Sequence, residues 1–305
     1  MIYSIKKITS VLVLMLLTLT CINSELYGQK KSGNPGSYLK TSLNAFSFNR
    51  PLLVDGTMNL DQLLEFCAEQ DLDAVDITGY YFPGYPEVPS DEYLYQIKRK
   101  SFLLGVEISG TGVRNNFSSP DPKVRQEGVQ LVKDWIIAAK KLGAPVVRVF
   151  SGQSDMAGYT REQATGWMVK DLRECAEFGQ QHGVMVGLQN HHDFLVTADH
   201  IIDVIEKVDH EWLGLILDTG SYWEGDSYEQ IERTIKYAIN WQVKDLTYMN
   251  GKSEKLDLDR LFKMIKKAGY RGYVPIETLG EGDSYVKVDK FLKEVKASIA
   301  RVYGK

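Results

Sequence analysis

The segment GVMVGLQNHHDF (residues 183–194) sets a pattern that recurs three more times: WLGLILDTGS (212–221), YAINWQVKD (237–245) and GYVPIETLG (272–280). Each is a short apolar run that breaks off in polar residues and is followed by a helical pattern. Runs that are apolar at successive positions, rather than alternately, suit parallel strands covered on both faces. The residues at the four breaks are Gln189, Asp218, Gln242 and Glu277. If the strands are parallel neighbours, these oxygen-bearing side chains converge on one rim of a sheet. A polar site is expected there, and an enzyme is the first reading.

Working outward, the same rhythm covers most of the chain. Strands are predicted at Ser42–Phe48, Ala74–Thr78, Val106–Ser109, Val146–Phe150, Val184–Gln189, Leu213–Asp218, Ala238–Val243 and Tyr273–Glu277. Helical spacing marks Leu60–Gln70, Glu92–Leu103, Val124–Leu142, Arg161–His182, Ala198–Val208, Tyr228–Tyr237, Leu258–Ala268 and Val286–Val302. Leu60, Leu63, Leu64 and Cys67, for example, form one apolar stripe. Glycines at 143, 183 and 269 close helices just before the next strand. Eight β-then-α units in strict alternation predict an α/β fold of the closed (β/α)8 TIM barrel type, a single domain over residues 41–305. A doubly wound open sheet also alternates, but it places a glycine-rich phosphate loop after its first strand. Here Phe48-Asn49-Arg50-Pro51 stands in that place. The loop Gly79 to Asp91 carries Tyr80 and Tyr81 among several prolines. It is expected either to wall a pocket, with these tyrosines binding substrate, or simply to cover the core.

The N terminus reads differently. Lys6 and Lys7 precede an apolar run, Ile8 to Thr20, too short for a membrane span and suited to the core of a signal peptide. Residues 1–28 are therefore expected to be an export signal cut after Gly28, with 29–40 a linker. Lipoprotein processing at Cys21 and a retained anchor are the alternatives, and only these would tie the protein to a membrane. All three place it outside the cytoplasm, in the periplasm or lipid-anchored at the envelope. Removing residues 1–28 takes away two Lys and one Glu, which moves the net charge from −4 to −5. That balance, without a basic block, argues against a nucleic-acid partner. Cys67 and Cys175 sit in helical patterns and are expected to be buried thiols.

Barrel active sites lie at the C-terminal ends of the strands. Those ends offer Asp76 and Thr78, Glu107 or Ser109, Arg148 and Ser151, Gln189 through Asp193, Asp218 and Ser221, Gln242 and Lys244, and Glu277. The motifs LQNH, LDTGS and QVKD, and above all LDLDRLFKMIKKAGYRGYVPIE (residues 256–277), resemble the xylose isomerase-like barrels, the sugar phosphate isomerase/epimerase family. The resemblance runs from about Leu43 to Val302. It implies a divalent metal held at the positions of Gln189, Asp218, Gln242 and Glu277, where the family has Glu, Asp, His and Glu. Two carboxylates and two amides would remain, an all-oxygen set that suits Mg²⁺ or Mn²⁺ better than Zn²⁺ and binds more weakly. It also implies metal-assisted proton abstraction beside a sugar carbonyl, in the family by two opposed Glu bases. Gln189 cannot serve as one of them, because an amide is not a base near neutral pH. Glu277 is the expected base, with His191 as acid/base and Lys244 meeting a substrate oxygen or an ion-pair partner such as Asp245. Asn190 and Arg148 are expected on the substrate, Arg148 alternatively as counter-ion to Glu107 or Asp76. Alternation along the strand allows at most one of His191 and His192 to face the pocket.

The substrate class this implies is a small carbohydrate. The expected reactions are isomerisation or epimerisation, with elimination from oxidised (3-keto) glycosides as an alternative. A carbohydrate-binding protein that has lost catalysis is the competing class. The DNA-repair endonucleases of the same barrel superfamily need a His-rich three-zinc cluster, and five His in a net acidic chain do not supply it. The pattern leaves the oligomeric state open, a homo-oligomer included.

Overall fold

A computed structural model describes residues 39–152 and 158–304. The expected signal segment with Cys21, and the linker as far as residue 38, lie outside the described residues. Eight parallel strands close into a barrel: β1 (Lys40–Asn44), β2 (Ala74–Asp76), β3 (Glu107–Gly112), β4 (Val146–Val149), β5 (Met185–Gln189), β6 (Leu213–Asp218), β7 (Ala238–Lys244) and β10 (Tyr273–Glu277). The hydrogen-bonded order runs β1-β10-β7-β6-β5-β4-β3-β2 and back to β1. The barrel starts at Lys40, one residue before the boundary expected from the sequence.

Outside the strands lie α1 (Leu60–Glu69), α2 (Asp91–Leu104), α3 (Pro122–Leu142), α4 (Arg161–His182), α5 (Ala198–Val208), α6 (Ser227–Thr234), α7 (Leu258–Ala268) and α8 (Ser284–Tyr303). Their apolar stripes bury Leu63, Leu64 and Cys67 on α1 and Leu261, Phe262 and Ile265 on α7. The two full capping boxes, Asn59 with Gln62 and Thr160 with Gln163, start α1 and α4 by satisfying amide groups that have no partner inside the helix. Cys67 and Cys175 are free and buried, and burial pushes both thiols upward in pKa. None of the helices among the described residues is long and apolar enough to cross a membrane.

Beyond shifts of a few residues in element limits, two departures change the order of elements. The first strand stops at Asn44, and Ala45–Phe48 forms a 3-10 turn in place of the predicted strand end. The Asn44 side chain caps that turn by accepting from the Phe46 amide at 2.9 Å. The second departure is an antiparallel hairpin, β8 (Leu246–Met249) and β9 (Lys252–Lys255), inserted between β7 and α7. Asn250 (φ 51°) and Gly251 (φ 78°) form its two-residue turn, which needs positive φ at both positions.

Candidate active site

The register of the closed sheet brings the predicted strand ends together. Asp218 of β6 pairs with Gln242 of β7, and Glu277 of β10 pairs with Lys244 of β7. Gln189, Asp218, Gln242, Lys244 and Glu277 are all buried. All of them but Asp218 line a cavity of about 1330 Å³, together with Asn44, Thr78, Tyr80, Arg148, Phe150 and His191. It continues past Arg114 to Gln130 and Asp134 on α3.

Electrostatics sort the group. Asp218 Oδ2 accepts from Gln189 Nε2 at 2.7 Å, from Lys244 Nζ at 2.7 Å and from Ser221 Oγ at 2.8 Å. Its Oδ1 accepts from the Gly220 amide at 2.9 Å. Burial pushes the Asp218 carboxyl up, but the charge and hydrogen bond of Lys244 outweigh it and hold it below the ordinary carboxylate range. Burial pushes Lys244 down, and the two carboxylates beside it more than reverse this, so it stays an ammonium. Glu277 shifts the other way. Burial raises it, and Lys244, whose Nζ is 3.7 Å from Oε1, offsets this only in part. One carboxylate is thus fixed as an anion and the other is poised to take up a proton.

A divalent ion does not fit this donor set. Gln189 gives its amide N–H to both Asp218 and Gln242 Oε1, the latter at 2.7 Å, so two of the expected ligands are bonded to a third. Asp218 Oδ2 has three donors, and an ammonium sits between the two carboxylates. Among the described residues no group of three His, Cys, Asp or Glu side chains is placed to hold a metal.

Other expected roles change in the folded chain. Asn190 is not on the cavity. Its Nδ2 donates to the Asp218 carbonyl at 2.9 Å and its Oδ1 accepts from the Asp218 amide at 2.8 Å, so it clamps β6 to the end of β5. Tyr80 lines the cavity under the Arg114 guanidinium, 4.5 Å from its ring centre. Tyr81 is not among the residues lining the cavity; it packs edge-on against Tyr80 and donates to Asn49 Oδ1 at 3.1 Å. His191 and His192 both line the cavity, stacked at 4.4 Å, because the strand ends at Gln189 and alternation no longer applies.

Arg148 reaches the cavity over the Phe150 ring. Its Nη2 lies 3.4 Å from Thr78 Oγ1, and its Nη1 has no hydrogen-bond partner. Asp76, which burial raises to about 7 against the pull of Arg148, senses it, as does Glu277. Glu107 is not a partner. It lies at the opposite end of the barrel, bound to Lys40 Nζ at 2.6 Å and to the Tyr273 hydroxyl at 2.6 Å. Sequence reasoning missed Asn44, Phe150 and Arg114 as lining residues. Asn44 was hidden by reading β1 past its true end, and Arg114 lies in a loop with no motif.

The chain matches the xylose isomerase-like TIM barrel family over residues 64–297. No curated protein matches it significantly in sequence. Among solved structures, a xylose isomerase domain protein from Planctomyces limnophilus superposes with a TM-score of 0.68 at 14% identity, covering 90% of this chain and 100% of that one. A D-psicose 3-epimerase with D-tagatose from Clostridium cellulolyticum H10 gives 0.67 at 19% identity, covering 86% and 98%. An L-ribulose 3-epimerase gives 0.71 at 16%, covering 87% and 95%. At such identities the likeness is one of fold.

Proposed function

This chain belongs to the xylose isomerase-like TIM barrel family, and from that premise we propose that it is a carbohydrate enzyme acting by proton abstraction beside a carbonyl. The observation that carries the reading is Glu277: a buried carboxylate on the cavity, raised by burial, with a lysine ammonium beside it. Glu277 takes the proton from the carbon next to the sugar carbonyl, and the electron pair of that C–H bond moves onto the carbonyl oxygen. The two cavity-lining cations that act on Glu277, Lys244 and Arg148, stabilise the oxyanion so formed. Return of the proton to the former carbonyl carbon, while the adjacent hydroxyl loses its proton to become the new carbonyl and the oxyanion gains one, isomerises the sugar. Asp218, held by Lys244, is not available as a second base, and Gln189 cannot be one. His191 is placed to pass a proton to or from a hydroxyl. A neutral sugar or keto-sugar suits a polar cavity edged by Tyr80 and Phe150, and the expected export of the chain belongs to the same proposal.

The test is solvent-deuterium exchange into candidate ketoses and aldoses. Replacing Glu277→Gln is expected to lower exchange by roughly 10²–10⁴, the worth of one general base. Exchange unchanged in that variant would move the base elsewhere, with His191 next. Saturable sugar binding without any exchange would make the protein a binder.

A second reading is favoured by the size of the cavity. About 1330 Å³ exceeds what one sugar ring fills, since pockets for drug-sized ligands span ~300–1,000 Å³. A keto-glycoside would place its aglycone beyond Tyr80 and Arg114. Glu277 would then take the proton beside the keto group, the glycosidic C–O bond would break, and the leaving oxygen would take a proton from His191. Aglycone release separates this elimination from isomerisation.

A further inference from the structure

The mouth of the barrel carries its own cation, and several parts of the chain are arranged around it. The β7–β10 register sets Lys244 level with Glu277. The Lys244 amide donates to Thr219 Oγ1 at 2.9 Å, which ties its backbone to the loop after β6. The lysine stem then passes over Gly220, where a Cβ would fall 2.6 Å from Lys244 Cδ and 3.3 Å from Lys244 Cβ. Any side chain at position 220 would push the stem aside. At its tip, Nζ lies 2.7 Å from Asp218 Oδ2 and 3.7 Å from Glu277 Oε1, with the side chain 8% exposed.

The neutral residues agree with this. Gln189 bridges Asp218 and Gln242 by donating from Nε2 to both. A glutamate there would add a third carboxylate, and one ammonium could not balance three. With Gln at 189 and at 242, two carboxylates meet one lysine, with Arg148 near Glu277.

We propose that the Lys244 ammonium is the resident cation of this site, standing where a divalent ion would otherwise bind and offering its free N–H groups to one ligand oxygen. The part that concerns a ligand oxygen rests on the carbohydrate reading; the part that concerns the cation does not. An ammonium differs from a metal in what it asks of a ligand. A metal chelates two neighbouring oxygens, whereas an N–H donor meets one. The enzyme is then indifferent to chelators, and a sugar lacking the hydroxyl next to its carbonyl still binds.

The decisive measurement is calorimetric titration of the wild-type chain with Mn²⁺, with Asp218→Asn as the control for ions bound elsewhere. The expected result is no saturable uptake that depends on Asp218, and ligand binding or exchange unaltered by EDTA. One equivalent of Mn²⁺ bound by the wild type and lost in Asp218→Asn overturns the proposal. In the double variant Lys244→Ala with Gln189→Glu, one equivalent of Mn²⁺ uptake is expected. A folded double variant, checked by circular dichroism, that takes up none counts against the proposal. If the wild type takes up no Asp218-dependent Mn²⁺ and also turns over no sugar, the carbohydrate reading fails while the assignment of the cation stands.

Discussion

Asp76 is a fully buried carboxyl whose pKa rises to about 7, chiefly through burial, with Arg148 opposing the shift. Its folded value therefore lies above the unfolded value of about 3.9. A group raised in this way contributes most to stability below pH about 4 and loses that contribution as the pH climbs through about 7. The Asp76→Asn variant has no such proton to lose. Its stability relative to wild type is expected to rise by up to ~1.4 kcal/mol per pH unit across that window. Thermal melts of both proteins from pH 4 to 8 check this, and parallel curves would refute it. At this scale the sequence was partly legible. Lys244 was expected at the site with Gln242, and the ends of β5, β6, β7 and β10 were found. What alternation does not report is the partner across the sheet. Asn190 lies next to the site in sequence, yet both ends of its amide are taken by the β6 backbone. The Tyr81 hydroxyl is likewise taken, by Asn49 Oδ1.

At the scale of elements, α4 separates local preference from packing. Gly166 and Gly179 both lie in this helix, where glycine costs roughly 0.5–1 kcal/mol relative to alanine. Nothing lies within 4 Å of a Cβ at Gly166, whereas a Cβ at Gly179 would press on the Val184 carbonyl oxygen at the start of β5. Gly166→Ala is expected to gain ~0.5–1 kcal/mol. Gly179→Ala is expected to lose ~1–3 kcal/mol, because backbone cannot give way as a side chain can. Chemical denaturation of the two variants decides it, and equal effects would refute it. Helices with long periodic stripes were legible almost to the residue; α4, α5 and α7 begin and end where the pattern does. The hairpin was not found, although Asn250-Gly251 is its turn signal. Lys252–Lys255 (KSEK) is fully exposed and has no apolar alternation to mark a strand.

Across the whole molecule the two ends of the barrel divide the work. At the N-terminal end Glu107 ties the starts of three strands together, binding Lys40 of β1 and Tyr273 of β10 from β3. These two bonds hold its carboxyl below the ordinary range, in a place half open to solvent. Glu107→Gln is therefore expected to cost at most ~1 kcal/mol and to leave sugar binding or turnover unchanged. A loss of ligand affinity in that variant would contradict the assignment of the site to the opposite end. The closed barrel was legible because eight apolar runs separated by helical stripes leave few other ways to bury them. Which end of β3 faces the cavity turned on strand limits. Placing the strand at Val106–Ser109 brought Glu107 near the site, whereas the strand runs to Gly112 and leaves Glu107 at its start.

One rim feature has an optical consequence. Trp223, 38% exposed, lies flat against His192 at 3.9 Å and 14°, and His192 in turn stacks on His191 at the cavity wall. Burial, and then the neighbouring His191, hold His192 below the usual histidine range, so it is neutral at physiological pH. A ligand seated against the two imidazoles shifts a ring in contact with the indole. Of the other four tryptophans, Trp135 and Trp241 are fully buried, and the half-buried Trp167 and Trp212 are not among the residues lining the cavity. Tryptophan emission is therefore expected to report occupancy of the cavity directly, and the signal should vanish in Trp223→Phe while affinity is retained. The protein carries its own fluorescent gauge, which allows unlabelled sugars to be screened before any reaction is known.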